Sequence, residues 1–150
     1  MLNASSSVAH RWFEELWNQG RIETIDQLSM PDTVGYGQIE HDGQINMEQF
    51  RALFTGIRAA FPDIRFDIEH TVTEKDMVVL RWRAKATHNG EFLGTAPTNR
   101  RVEFTGMSMM KISDGKIVRG WDNWDQFSLL MQIGAVPSKT FINAPHKAAS

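Results

Sequence analysis

The chain has 150 residues, 41% hydrophobic and 23% charged, with a formal net charge of −2. That is enough for one domain with a substantial core, and the lack of a basic run argues against nucleic acid as a main partner. The absence of cysteine excludes disulfides, thiol catalysis and thiolate-bound metal. His10, His41, His70, His88 and His146 show no metal-ligand spacing. No apolar run reaches membrane-spanning length, and the N-terminus lacks the basic start and apolar stretch of a signal peptide. The expected location is therefore the cytoplasm.

The first helix is expected to start at Ser6 or Ser7, with Val8, Trp12, Phe13, Leu16 and Trp17 forming its apolar stripe and Gly20 its stop. A short second helix turns Ile22, Ile25 and Leu28 inward and breaks at Met30-Pro31-Asp32. Residues 33–45 read as a loop or irregular strand carrying Tyr36, the one tyrosine. Asn46 with Gln49 forms a capping-box pattern at the head of a third helix. Met47, Phe50, Phe54, Ile57 and Phe61 make its buried face, and Pro62 ends it.

The period then changes to two. Phe66, Ile68, His70 and Val72 share one face of a strand, and Glu74-Lys75-Asp76 is a turn. Val78, Leu80, Trp82, Ala84, Ala86 and His88 share one face of the next strand. Asn89-Gly90 and Gly94–Asn99 are loop signals.

A hairpin follows over Val102–Asp125. A three-residue turn, Ser113-Asp114-Gly115, sets Ile112 opposite Lys116, Ser108 opposite Gly120, Gly106 opposite Asp122 and Phe104 opposite Trp124. One face then holds Val102, Phe104, Gly106, Ser108, Met110, Val118, Gly120, Asp122 and Trp124. The wetter face holds Arg101, Glu103, Lys111, Arg119 and Asp125, mixed with Met107, Met109, Ile117 and Trp121. A slip of one residue would reverse every assignment. A last helix near Asp125–Ile133 turns Phe127, Leu130 and Met131 inward and stops at Gly134, leaving residues 135–150 as a tail.

Asp122 is thus a lone carboxylate on an apolar face beside the small residues Gly106, Ser108 and Gly120. Desolvation disfavours its charged form, which suits an acid/base group. The structural alternative is an acid bonded to a backbone amide or a tryptophan N–H. The order of elements implies one α+β domain over residues 1–134, a curved antiparallel sheet with helices on its concave side. The interior of such a cone can hold a small molecule.

The runs AAFPDIRFDIE, VVLRWRAKATHNGEFLG, APTNRRVEFTG and DGKIVRGWDNWDQFSLLMQIG resemble, in order, the SnoaL-like polyketide (ester) cyclases of the NTF2-like superfamily, from Ala9 to Gly134. The resemblance implies a cone with a strongly bent sheet, commonly dimeric. It also implies ring closure by intramolecular aldol condensation on a small hydrophobic carbonyl compound, without metal or organic cofactor. The family's acid/base aspartate matches Asp122, whereas the histidine that some members carry on the neighbouring strand is Ser108 here. His88 is a second catalytic candidate. Trp12, Phe54, Trp82, Phe104, Met110 and Trp124 are candidate walls, and Tyr36 and Ser108 candidate hydrogen-bond partners of the substrate.

Epoxide hydrolase and ketosteroid isomerase chemistry need further inward arginines, tyrosines or acids. Arg81, Arg83, Arg101 and Arg119 point outward, leaving loop acids such as Asp42 and Glu91 as the open question. The alternative to catalysis is a small-ligand-binding or dimeric interaction module, since fold does not imply function. The mixed outer face points to a homodimer through the sheet.

Overall fold

Asn3, not Ser6 or Ser7, caps the first helix. In the computed structural model, which describes residues 2–37 and 43–137, its Oδ1 accepts the Ser6 N–H at 2.8 Å. Helix α1, Ala4–Arg11, runs directly into π-helical turns over Trp12–Asn18. The wider turn brings residues five apart into register, and Trp12, Phe13, Leu16 and Trp17 are all buried there. Helix α2, Thr24–Leu28, buries Ile25 and Leu28, while Ile22 precedes it and is exposed, contrary to the expected inward position.

The segment read as breaker and loop is a strand. β1, Ser29–Tyr36, runs parallel to β6, Lys116–Trp124, and pairs at its end with the short β2, Gln44–Ile45. The parallel pairing departs from the expected all-antiparallel order. Pro31 is tolerated because the β1–β6 register shifts between Ser29 and Val34, so no ladder bond is asked of it. Thr33 spans the gap, its hydroxyl accepting the Met30 N–H at 2.8 Å and donating to the Ile117 carbonyl at 2.6 Å. Helix α3, Met47–Ala60, opens on the expected capping box between Asn46 and Gln49.

β3, Arg65–Glu74, and β4, Met77–Thr87, pair with a bulge between Ile68 and His70. The alternation holds through Ile68 and then reverses. His70 and Val72 turn outward, Val72 being 63% exposed, and Thr71 faces His10, Oγ1 to Nε2 at 2.8 Å. β5 is Arg101–Ser113, and the sheet order is β2-β1-β6-β5-β4-β3. Helix α4, Gln126–Gln132, is capped by Asp125. Its buried residue is Leu129, whereas Phe127, expected inside, is 37% exposed.

The β5–β6 register differs from expectation twice. The turn has two residues, Asp114 and Gly115, both with positive φ (48° and 74°), so Ser113 pairs with Lys116 and Ile112 with Ile117. Asp-Gly suits this turn type because its twist matches that of the strands. A bulge then takes up Val118, so that Lys111 pairs with Arg119, Ser108 with Asp122 and Gly106 with Trp124. Each change shifts the register by one residue and together they shift it by two. Ile117 therefore goes into the core, 4% exposed, and Val118 leaves the inner face. Gly120, Asp122 and Trp124 keep the inward face expected of them but face different partners. The curved, unclosed sheet packs its inner face on α1, the π-helical segment and α3, and the core between them is rich in aromatic rings.

Candidate active site

Asp122 and Ser108 stand directly opposite each other on the inner face of β6 and β5. The Ser108 hydroxyl donates to Asp122 Oδ1 and accepts the indole N–H of Trp82 on β4 at 3.0 Å. Ser108 is 1% and Trp82 4% exposed, while Asp122 is half-buried. Gly106 makes room for the Trp82 ring: a Cβ there would lie 2.4 Å from Trp82 Cζ2 and 2.7 Å from Trp124 Cβ. Gly37, at φ 82°, closes the end of β1 on Asp122, since its own Cβ would meet the Asp122 carbonyl oxygen at 2.0 Å.

Asp122 borders two hollows between sheet and helices. The larger has about 630 Å³ not filled by atoms, including its opening to solvent, and is walled by Trp12, Trp17, Phe50, Trp82, Phe104 and Trp124 among others. The smaller lies on the β1 side, against Met110, Gly120, Met47 and Gly35. A Cβ on Gly120 would touch nothing within 4 Å, so this glycine leaves space open. Among the described residues lining either hollow, Asp122 is the one titratable group. The arginines of the sheet face the other way. Glu69 receives Arg83 at 2.8 Å and Arg81 at 3.2 Å, and Arg83 also reaches Glu103 at 2.9 Å. The hydrogen bond from Arg83 is the main reason that the Glu69 carboxyl lies below its ordinary range.

Of the expected wall residues, Trp12, Trp82, Phe104, Ser108 and Trp124 line the larger hollow and Met110 the smaller. Phe54 does not line it; it packs edge-on behind Trp17 at 5.0 Å, and Phe50, one turn earlier, takes the wall. Helical periodicity names both as buried, and only the rotation of α3 chooses between them. Tyr36 lies on the outer face of the sheet, stacked on Trp121 at 5.6 Å, with its hydroxyl receiving Arg119 at 3.3 Å. Phe13 and Phe92 also reach the larger hollow. Phe92 sits in a loop, where no periodicity could have marked it. Glu91 is exposed, and Asp42 lies outside the described residues.

His88 lines neither hollow. It follows the end of β4, fully buried, and its ring packs against Phe61 at 5.4 Å. Nδ1 lies 3.0 Å from Thr98 Oγ1, and its backbone pairs with Arg100 and Asn99. It pins the loop between β4 and β5 to the end of α3, where Asn89 and Gly90 also donate to the Ala60 carbonyl. Burial holds its pKa below the usual histidine value, and backbone hydrogen bonding at Gly90 opposes that in part.

The profile of the SnoaL-like polyketide cyclases matches residues 7–133. The chain belongs to the SnoaL-like polyketide cyclase family. Its similarity to nogalonic acid methyl ester cyclase of Streptomyces nogalater is 29% identity over 120 residues, covering 79% of this chain and 89% of that one. Among solved structures, AclR of Streptomyces galilaeus, a candidate hydroxylase, superposes with a TM-score of 0.80 at 30% identity, over 89% of this chain and 97% of that one. IdmH of Streptomyces antibioticus, a candidate polyketide cyclase, does so with a TM-score of 0.77 at 31% identity, over 88% and 99%. This SnoaL-like chain shares their NTF2-like architecture over those parts of its length. Among its described residues no helix is long and apolar enough to cross a membrane.

Proposed function

We propose that this chain is a cofactor-independent polyketide cyclase that closes a ring on a small hydrophobic carbonyl compound, with Asp122 as its acid/base group. One observation carries the reading: Asp122 is the titratable side chain that the described walls present to an apolar, aromatic-lined hollow. The ester cyclase among its relatives points to the reaction class. Asp122 removes a proton from carbon next to a carbonyl. The enolate attacks a second carbonyl of the same molecule, forming the carbon–carbon bond, and the proton returns to the new alkoxide. No atom is gained or lost. Acid/base help of this kind is worth roughly 10²–10⁴ in rate, and the aromatic walls orient a flat substrate for it. His88 stands away from the hollow, so the proton transfers are assigned to Asp122 alone.

A screen of aromatic polyketide esters should identify a cyclised product with the wild-type chain and at least about a hundredfold slower turnover with Asp122→Asn. An Asp122→Asn protein that folds and turns over at the wild-type rate refutes the role. The outer sheet face supports a homodimer. Met107 is 48% exposed there and Met109 and Trp121 are partly exposed, and Ile117, now in the core, drops out of the patch. Sedimentation at micromolar concentration should give a dimer, and a monomer would exclude it.

A further inference from the structure

We infer that Trp82 and Ser108 form a one-way chain of donors that orients Asp122 and holds it as a hydrogen-bond acceptor, so that both are positioning residues for the acid/base group. The inference concerns the state of Asp122 itself and deepens the cyclase reading without needing a substrate. Its direction follows from chemistry. An indole N–H can only donate, so Ser108 Oγ must accept from Trp82. The hydroxyl has one proton, and Asp122 Oδ1 lies where that proton points. Ser108 is 1% exposed, so water cannot readily supply another acceptor. An ionised Asp122 satisfies every member of the chain. A proton on Oδ1 would leave the Ser108 hydroxyl seeking a new acceptor in an apolar wall, where an unmade bond is costly.

The described residues that line the hollows around Asp122 add no charge of their own. Around Asp122, the π-helical segment contributes Trp12, α3 contributes Phe50 and Met47, and β4 and β5 contribute Trp82, Phe104 and Met110. None of these titrates, and Arg119 and Tyr36 lie on the opposite face. The backbone has been shaped to allow the arrangement. Gly106 provides the slot for the indole, and the two-residue turn with the bulge at Val118 sets Ser108 opposite Asp122. Ser108 thus adds a donor beside Asp122 without adding a charge.

The test is a direct titration of Asp122 by carbon NMR on protein labelled at the aspartate carboxyl carbon, with Asp122→Asn to assign the signal. Ser108→Ala should move the Asp122 midpoint to higher pH, and Ser108→Thr, which keeps the hydroxyl, should restore it. Trp82→Phe should move it the same way by less, because Ser108 keeps its proton but loses its orientation. With a substrate in hand, Ser108→Ala should also lower kcat by at least about tenfold, the lower end of what one hydrogen bond to a charged group supplies, with KM little changed. An unchanged midpoint in Ser108→Ala, in a protein whose amide spectrum shows the native fold, overturns the inference. That outcome would leave the cyclase reading standing, whereas a normal Ser108 effect with full turnover in Asp122→Asn would overturn the cyclase reading alone.

Discussion

Asp122 and His88 are both polar side chains set among aromatic rings, and the structure puts them to different uses. His88 is fully buried, with Phe61 on its ring and Thr98 on Nδ1. Its neighbours fill the space around it, so it ties a loop to α3. Asp122 is only half-buried, but it lines two hollows and a donor chain ends on its carboxylate. Burial alone therefore does not mark a reactive group. Adjacent empty space, together with bonds that direct the side chain, is what supports the acid/base role proposed for Asp122.

The sharpest way to break this contrast is to separate activity from stability. Asp122→Asn should cost at least about a hundredfold in turnover while changing unfolding free energy little, because the amide can still accept from Ser108. His88→Ala should do the reverse. Removing a fully buried ring and its bond to Thr98 should cost about 2–4 kcal/mol in chemical denaturation. Quenching of tryptophan fluorescence by an aromatic ligand such as 2-naphthol should keep its wild-type affinity. If His88→Ala abolishes that binding while remaining folded, the two regions are not independent.

A subtler expectation concerns pH. Burial depresses the folded-state pKa of His88 below the ordinary value of 6.5. Between those two values the unfolded chain binds more protons than the folded one, so stability rises with pH across that window. It is fully present above about pH 6.5 and falls as the pH drops towards the folded pKa. His10 is shifted the same way by its own burial, so wild type alone cannot apportion the effect. His88→Gln should flatten part of the slope, read from urea midpoints between pH 5 and 7. An unaltered slope would assign the effect to His10.

The smallest expected stability effect is at Gly120. A Cβ there meets open space, so Gly120→Val should change stability by less than about 1 kcal/mol. It should nevertheless narrow the hollow on the β1 side. Elongated aromatic ligands, such as 2-acylnaphthalenes with longer acyl chains, should lose affinity relative to 2-acetonaphthone. Equal losses across the series would mean that the two hollows do not act as separate compartments.

Periodicity and turn signals marked α3, its capping box, strands β3 to β6 and the inward face of Asp122. These depend on neighbours within a few residues, where side-chain alternation and backbone capping leave little choice. The face of Asp122 survived a wrong turn length because a bulge at Val118 compensated for it, and only strand pairing reveals a bulge. The parallel strand β1 was hidden for a similar reason: Met30-Pro31-Asp32 looks like a break unless the shifted register that accommodates it is known. Phe50 and Phe54 carry the same helical signal, and the packing of α3 decides which one lines the hollow.

The sequence by itself determined the α+β order of elements and the inward face of Asp122, because hydrophobic period is a local property, and the ordered resemblance of four of its runs pointed to the family. The tertiary structure decided that Ser108 faces Asp122, that Trp82 stands behind Ser108, and that His88 and Tyr36 lie away from the hollow. Those relations join residues 14 to 85 positions apart through strand register and side-chain volume, which no local pattern encodes.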